Sequence, residues 1–135
     1  MRASPTPVRM LELSGAETLW LLEGGSLGRL VYVLREQAVI RPARHVFQYG
    51  RLVVRTPAPA TAVPDTATYQ VDEIQEATGT GWAVTVTGPA EAITDRDEIA
   101  HYRRTLSGWS HGPHDTVLRI HPKTVTGFRL TRAEA

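Results

Sequence analysis

The sequence predicts a mainly β fold, a closed or half-open barrel of about six to seven antiparallel strands with two short helices. The clearest stretch is residues 81–88, where valines at 84 and 86 alternate with threonines at 85 and 87 behind a tryptophan. That period of two is typical of a strand with one buried face. Similar short apolar runs recur between turn residues, and strands do not alternate with helices, which argues against a doubly wound sheet.

The predicted strands are separated by turn residues at regular intervals. They cover residues 29–34, 37–46, 51–56, 68–74, 82–93, 116–120 and 124–130. Three prolines in residues 57–64, the proline loop, exclude the interior of a regular strand or helix and leave room for one helical turn. Residues 1–10 are rich in proline and are predicted to be loose, so that the folded domain covers residues 11–132.

Two helices are predicted from their end signals. Ser14 and Glu17 have the spacing of a capping box, and Gly24-Gly25 ends the helix that follows. The second helix begins after Asp95, has acidic residues in its first turn, and stops before Gly108.

Composition excludes several classes of function. The chain has 135 residues, one domain by length, and a net charge of +1, which gives no general attraction for nucleic acid. It has no apolar run of the roughly 20 residues that cross a bilayer, and no apolar segment follows the first residues as in a signal peptide. We therefore expect a cytoplasmic protein without membrane contact. The absence of cysteine excludes disulfides, thiol catalysis and thiolate metal sites.

The sequence lacks the common motifs of metal and nucleotide sites. His111 and His114 are three residues apart but flank a Gly-Pro pair with no third ligand nearby, so a polar loop is favoured over a metal site. There is no G-x-G-x-x-G or Walker motif, and no serine stands in a nucleophile elbow. We predict no metal site.

Two strand ends carry candidate binding residues. In residues 41–46, alternation places Arg41, Ala43 and His45 on one face and the intervening residues, including Arg44, on the other. Pro42 in this strand indicates an edge or a bulge, which can redirect neighbouring side chains toward a site. A ligand role for His45 and a plain strand end are about equally favoured.

Arginine and tryptophan give the remaining candidates. Arg55-Thr56 could bind a phosphate through a bidentate guanidinium and a hydroxyl, or simply stand at a loop rim. Trp82 and Trp109 could anchor the core or wall a flat heterocycle, and the sequence does not separate these roles.

At these residues the chain resembles the pyridoxamine 5′-phosphate oxidase-like family, the flavin-binding split barrels. The resemblance runs from about Leu11 to Leu130 and depends on the order and spacing of several short segments. These segments are Gly28-Arg29-Leu30, residues 41–46, Val53-Val54-Arg55-Thr56, residues 71–74, residues 80–88, residues 117–122 and residues 125–130.

The resemblance implies a homodimer of six-stranded split barrels with two FMN molecules at the dimer interface. It places Arg41, Pro42, Ala43 and Arg44 along the flavin ring, Arg55 and Thr56 at the phosphate, and Trp82 among the cofactor contacts. Members usually have a lysine or arginine in the loop that follows, but the proline loop has neither, and Thr61 is the candidate to take its place. Ala83 stands where a serine often follows the tryptophan. His45 and Trp109 are the candidates for the substrate side.

Three functions remain open. The first is a flavin- or deazaflavin-dependent oxidoreductase acting on a small organic substrate, in which the cofactor carries the electron chemistry. The second is a non-catalytic barrel that binds a flavin, a deazaflavin or haem, and the third is a cofactor-free dimeric scaffold. Arg55-Thr56 and Gly81-Trp82 favour the first, whereas the missing cation after Arg55 favours the others. Oxidation of pyridoxamine phosphate itself is not expected, because the chain lacks the C-terminal arginine-histidine segment used for that substrate.

Overall fold

A computed structural model describes residues 7–107 and 114–132. Within them, eight strands form one antiparallel sheet in the order β1-β8-β6-β5-β2-β3-β4-β7, and pairing of β6 with β7 closes six of the strands into a barrel. The elements are β1 Val8–Glu12, α1 Gly15–Gly24, β2 Leu27–Leu34, β3 Gln37–Gln48, β4 Arg51–Thr56, β5 Thr66–Ile74, β6 Gly81–Ala92, α2 Arg96–Thr105, β7 Thr116–Ile120 and β8 Thr124–Arg132. The predicted mainly β barrel with two short helices is confirmed.

The barrel core follows the predicted period of two. Val84 and Val86 are fully buried, whereas Thr87 on the opposite face hydrogen-bonds through its hydroxyl to Thr68 at 3.0 Å. On β4, the run 52–54 is buried on both faces, because Leu52 and Val54 point into the barrel while Val53 packs in a second cluster beneath α2. Burial of apolar side chains on both faces of β4 makes this strand a central stabilising element.

Both helix starts are confirmed in atomic detail. The Ser14 hydroxyl accepts a hydrogen bond from the backbone N–H of Glu17, and the Asp95 carboxylate accepts one from that of Glu98. Helix α1 packs over one end of the barrel and buries Thr18 and Leu22. Helix α2 covers the outer face of β4 and β7.

Strand β1 corrects the prediction of a loose segment at residues 8–10, whereas residues 1–6 lie outside the described residues. Val8–Glu12 pairs along its whole length with β8, from Val8 opposite Arg132 to Glu12 opposite Phe128. All five residues are exposed, so backbone hydrogen bonding rather than burial holds this edge strand. Because its partner strand β8 lies more than 100 residues away in the sequence, β1 has no local pattern that identifies it as a strand. The neighbouring prolines indicated a loose segment instead.

The proline loop contains one 3₁₀ turn at Ala60–Ala62, as its sequence allows. The hydroxyl of Thr116 at the start of β7 donates to the carbonyl of Ala58 and ties the loop to the barrel. Neither helix in the described part of the chain is long and apolar enough to cross a membrane.

The turn between β2 and β3 predicts that glycine is more stable than alanine at position 36. Arg35 and Glu36 both have positive φ, 52° and 65°, the backbone of a type I′ hairpin turn, which glycine adopts without the strain that a Cβ brings. We expect Glu36→Gly to have a free energy of unfolding about 0.5–1 kcal/mol higher than Glu36→Ala, measured by urea denaturation. Glu36→Ala removes the same carboxylate and keeps the Cβ, so equal stability of the two variants would contradict the prediction.

Candidate functional site

A concave surface lies at the barrel end that α1 covers. It is an open groove of about 760 Å³, which we call the tryptophan groove. It is lined by Trp20, Leu21, Glu23, Gly24, Gly25, Glu73, Trp82 and Arg129. Its volume is in the range of small-molecule sites.

Strand register builds the floor of the tryptophan groove. Trp82 at the start of β6 lies opposite Glu73 of β5 and Arg129 of β8, which gives a row of carboxylate, indole and guanidinium on one face. Trp82 also packs against the barrel core, so it is both a core anchor and a groove wall. Trp20 on α1 is 70% exposed on the other side. Aromatic walls with charged groups at the rim suit a planar ligand that has polar edges.

Arg129 supplies the positive charge of this groove. Its Nη2 lies 3.9 Å from the Glu17 carboxylate, a long and partly exposed contact that contributes little to stability. Glu23 and Glu73 balance it with two carboxylates. The groove therefore favours a ligand with both donor and acceptor edges over a simple anion.

A smaller depression adjoins the groove at the end of α1. This arginine cleft of about 210 Å³ shares Glu23 and Gly25 with the tryptophan groove and is also lined by Arg44, Ser26 and residues 105–107. A third depression, of about 280 Å³, lies further along the outer face of β2 and β3 around Pro42. There the Arg29 guanidinium donates to the Asp72 carboxylate at 2.7 Å.

The predicted ring-contacting segment of β3 is split between two faces. Pro42 and Arg44 face outward into the depressions, and Arg41 is exposed, with its Nη1 donating to the carbonyl of Ile40. Ala43 is fully buried inside the barrel and cannot reach a ligand on the outer surface. Pro42 lies where β3 pairs with β2 but not with β4, which agrees with the edge position expected of proline.

The structure buries His45 at the border of the arginine cleft, with its ring engaged within the protein. Its exposed fraction is 2%, and both ring nitrogens are bonded: Nε2 to the carbonyl of Leu22 at 2.8 Å and Nδ1 to the hydroxyl of Tyr69 at 2.6 Å. Because a carbonyl only accepts, Nε2 carries the proton and, in the neutral ring, Nδ1 accepts from Tyr69. Burial lowers the pKa of His45 and raises that of Tyr69, which keeps both groups neutral.

Arg55 is likewise committed to protein contacts and not open to a phosphate. Its Nε and Nη2 form a bidentate pair with the Asp115 carboxylate, both at 2.9 Å, and Nη1 donates to the carbonyls of Arg103 and Leu106. The side chain is only 12% exposed. Arg55 therefore clamps the end of α2, and the predicted phosphate contact is not available in this arrangement.

The other predicted residues fall in three different environments. Thr56 is buried and donates its hydroxyl to the carbonyl of Pro42 at 3.0 Å, which holds β4 against β3. Thr61 is exposed in the 3₁₀ turn of the proline loop. Trp109 lies outside the described residues, as does His111.

Trp20 and Arg129 are among the groove residues that sequence reasoning missed. Trp20 stands between Thr18 and Leu22, the two buried positions of α1, and 3.6-residue periodicity therefore turns it away from the core. That periodicity was a usable signal for an exposed tryptophan. Arg129 had none, because only the pairing of β8 with β6 brings it beside Trp82. In residues 7–107 and 114–132, no cluster of three or more metal-ligating side chains occurs.

A closed six-stranded antiparallel barrel with a capping helix and a groove at its end defines the protein as a split barrel. A family model described as pyridoxamine 5′-phosphate oxidase matches residues 14–129, and the chain therefore belongs to this family, as the sequence indicated. It is 36% identical to the uncharacterized protein Rv0080 of Mycobacterium tuberculosis, over 96% of this chain and 91% of that protein.

Two solved structures have the same fold at moderate sequence identity. A candidate pyridoxamine 5′-phosphate oxidase of Corynebacterium glutamicum is 29% identical with a TM-score of 0.70, over 98% of this chain and 100% of that one. A protein of Mycobacterium smegmatis named as FAD-binding is 26% identical with a TM-score of 0.65, over 91% of this chain and 98% of that one.

The buried His45 predicts a loss of stability in weak acid. Its pKa is lowered in the folded protein, so below the unfolded value of about 6.5 the unfolded chain takes up a proton that the folded protein excludes. We expect the free energy of unfolding to be unaffected by this group above that pH. Below it, stability should fall by up to about 1.4 kcal/mol per pH unit until the folded pKa is reached.

Urea denaturation between pH 8 and pH 5 measures this effect against two variants. His45→Gln should remove this part of the pH dependence, at some cost in stability at pH 8. His101→Gln, which replaces an exposed histidine of α2, should leave the pH dependence as it is in the wild type. Equal slopes in the wild type and His45→Gln would refute the assignment.

Proposed function

We propose that this protein binds a flavin in the tryptophan groove and acts as a flavin-dependent oxidoreductase on a small organic substrate. The row Glu73–Trp82–Arg129 carries the proposal, because it gives an aromatic wall with a donor and an acceptor beside it. Membership of the family and similarity to a protein named as FAD-binding support a flavin over other planar ligands. FMN is the flavin that the family resemblance favours.

Flavin chemistry divides the work between cofactor and protein. A bound flavin would supply hydride or electron transfer through its ring, while the protein supplies position and electrostatics. Trp82, held by core packing, would contact the ring without losing much conformational freedom on binding. Arg129 would donate to an electron-rich ring edge, and Glu73 would accept from a ring N–H. Arg44, in the adjoining arginine cleft, is placed to contact a polar substrate.

We further propose that the protein is a homodimer. The outer face of β2 and β3 carries an apolar band made of Leu27, Val31, Val33, Ile40 and Pro42. Leu27, Val33 and Ile40 are 53%, 62% and 55% exposed, and large apolar side chains grouped on one sheet face are typical of a protein interface. Pro42 belongs to both the band and the third depression. A partner subunit bound to the band would therefore also cover this depression.

A haem-binding function has less support. Haem proteins bind the iron through an axial histidine or a comparable ligand. Among the described residues, no histidine lines the tryptophan groove. His45, which borders the arginine cleft, has both ring nitrogens bonded within the protein. The cofactor-free scaffold keeps one argument in its favour, the engagement of Arg55 by Asp115.

Flavin titration tests the proposed cofactor. The purified protein should quench flavin fluorescence or shift the flavin absorption bands, with Trp82→Ala weakening binding at least about tenfold through loss of stacking. Tyr49→Ala is the matched control, because Tyr49 is a 98% exposed aromatic at the β3–β4 turn, outside the groove.

Two outcomes would overturn the flavin assignment. If Trp82→Ala and Tyr49→Ala weaken flavin binding equally, the flavin does not bind in the tryptophan groove. Unchanged spectra of riboflavin, FMN and FAD in the presence of protein would reject flavin binding itself, and a deazaflavin titration and a search for a Soret band would then decide among the alternatives.

Sedimentation velocity tests the dimer. Ile40→Lys places a charge in the apolar band and should convert a dimer into a monomer, because an unpaired charge is costly to bury. Met10→Lys makes the same kind of change at a 67% exposed position on β1, outside the band, and should leave the dimer intact. A wild-type monomer at micromolar concentration, or a dimer that survives Ile40→Lys, would contradict the proposed interface.

A further inference from the structure

Beyond the tryptophan groove, most of the hydrogen-bonding capacity of the Arg55 guanidinium is used within the protein. A guanidinium has five N–H donors. Four of those of Arg55 are taken, two by the Asp115 carboxylate and two by the carbonyls of Arg103 and Leu106. The fork geometry that recognises a phosphate is the one that the Asp115 carboxylate already occupies.

The surroundings of Arg55 do not replace the lost phosphate contact. A phosphate at Arg55 would have to approach the Asp115 carboxylate, whose negative charge repels it. The neighbouring Arg103 guanidinium is itself paired with that carboxylate, with its Nε 3.3 Å from the Asp115 Oδ2. The proline loop that follows Arg55 and Thr56 has no lysine or arginine. Thr56 donates its hydroxyl to Pro42 inside the protein. The residues at the end of β4 therefore do not fit a flavin phosphate.

We propose that Asp115 is a specificity-determining residue that withholds Arg55 from phosphate. The site then recognises a flavin by its ring system and not by a phosphate held at the end of β4. This inference rests on the proposed flavin binding and adds the ligand class, a flavin taken without a phosphate contact from Arg55.

Arg55 has a positioning role in this arrangement. Its two carbonyl acceptors lie at the end of α2, and residues 105–107 form one wall of the arginine cleft. Arg55 also stands directly opposite Arg44 in the register of β3 and β4. The Asp115 carboxylate offsets the repulsion between these two guanidinium groups, which would otherwise destabilise the pair of strands.

The preference for FMN over riboflavin measures the effect, since the two ligands differ only in the phosphate. The readout is the ratio of the riboflavin Kd to the FMN Kd, from fluorescence titration of the full chain. Asp115→Asn keeps the shape of the side chain, removes the charge and releases part of the fork, and should raise this ratio about tenfold. Riboflavin affinity itself should stay within about threefold of the wild type.

Two further variants complete the test. Glu98→Gln removes the same charge from another α2-associated arginine pair, Glu98–Arg119, and should not change the ratio. Arg55→Gln, checked for folding by circular dichroism, should reduce stability and leave the ratio within about threefold of the wild type. This variant decides the matter if Asp115→Asn does not fold.

The outcomes separate this inference from the proposed function. Riboflavin binding with a ratio that Asp115→Asn leaves unchanged, or that Arg55→Gln lowers tenfold, overturns the role of Asp115 and leaves the flavin site standing. Absence of binding by both flavins overturns the proposed function and this inference with it. A ratio raised by Asp115→Asn and also by Glu98→Gln shows a general charge effect and overturns the specific role of Asp115.

Discussion

Barrel closure depends on the change of partner along one edge of β6. Gly81–Thr87 pairs with β8 along that edge, and Ala90–Ala92 pairs with β7. The tight connection from β7 to β8 lies beside the part of β6 where its partner changes from β8 to β7. There the backbone N–H of His121 donates to the carbonyl of Pro89, and that of Lys123 donates to the carbonyl of Thr87. A Cβ at Gly88 would collide with the His121 carbonyl, so only glycine lets the connection approach closely enough. The Gly-Pro pair that ends the alternating pattern in the sequence is therefore the point at which the barrel closes.

The candidate site depends in turn on the attachment of α1 to the barrel. His45 bridges the carbonyl of Leu22, in the last turn of α1, to the hydroxyl of Tyr69 on β5. Just beyond Leu22, residues Glu23 and Gly25 border both the tryptophan groove and the arginine cleft. A buried hydrogen-bonded histidine thus contributes to the site indirectly, by fixing the helix end that separates two depressions. His45 therefore contributes by positioning the end of α1, because neither of its ring nitrogens is available to a ligand.

Local patterns in the sequence predict the elements well and their partners poorly. The period of two in β6, the caps at Ser14 and Asp95, and the prolines of the 57–64 loop are local signals, and each agrees with the structure. The contacts that the sequence did not reveal depend on distant groups. His45 bonds Tyr69 across 24 residues, Arg55 bonds Asp115 across 60, and β1 pairs with β8 at the other end of the chain. Loop closure over such distances depends on the whole fold, which no short window of sequence encodes.

The environment of Arg55 shows why a motif of two residues does not define a phosphate site. Arginine and threonine at the end of β4 have the chemistry to bind phosphate, and the register even places Arg44 beside Arg55. The register of β7 against β4 then sets Thr116 opposite Thr56, which brings the preceding Asp115 to the Arg55 guanidinium. One carboxylate at that position converts an anion-binding fork into an internal clamp. In this chain the residue that precedes β7 therefore determines the contacts of Arg55 as much as the arginine itself does.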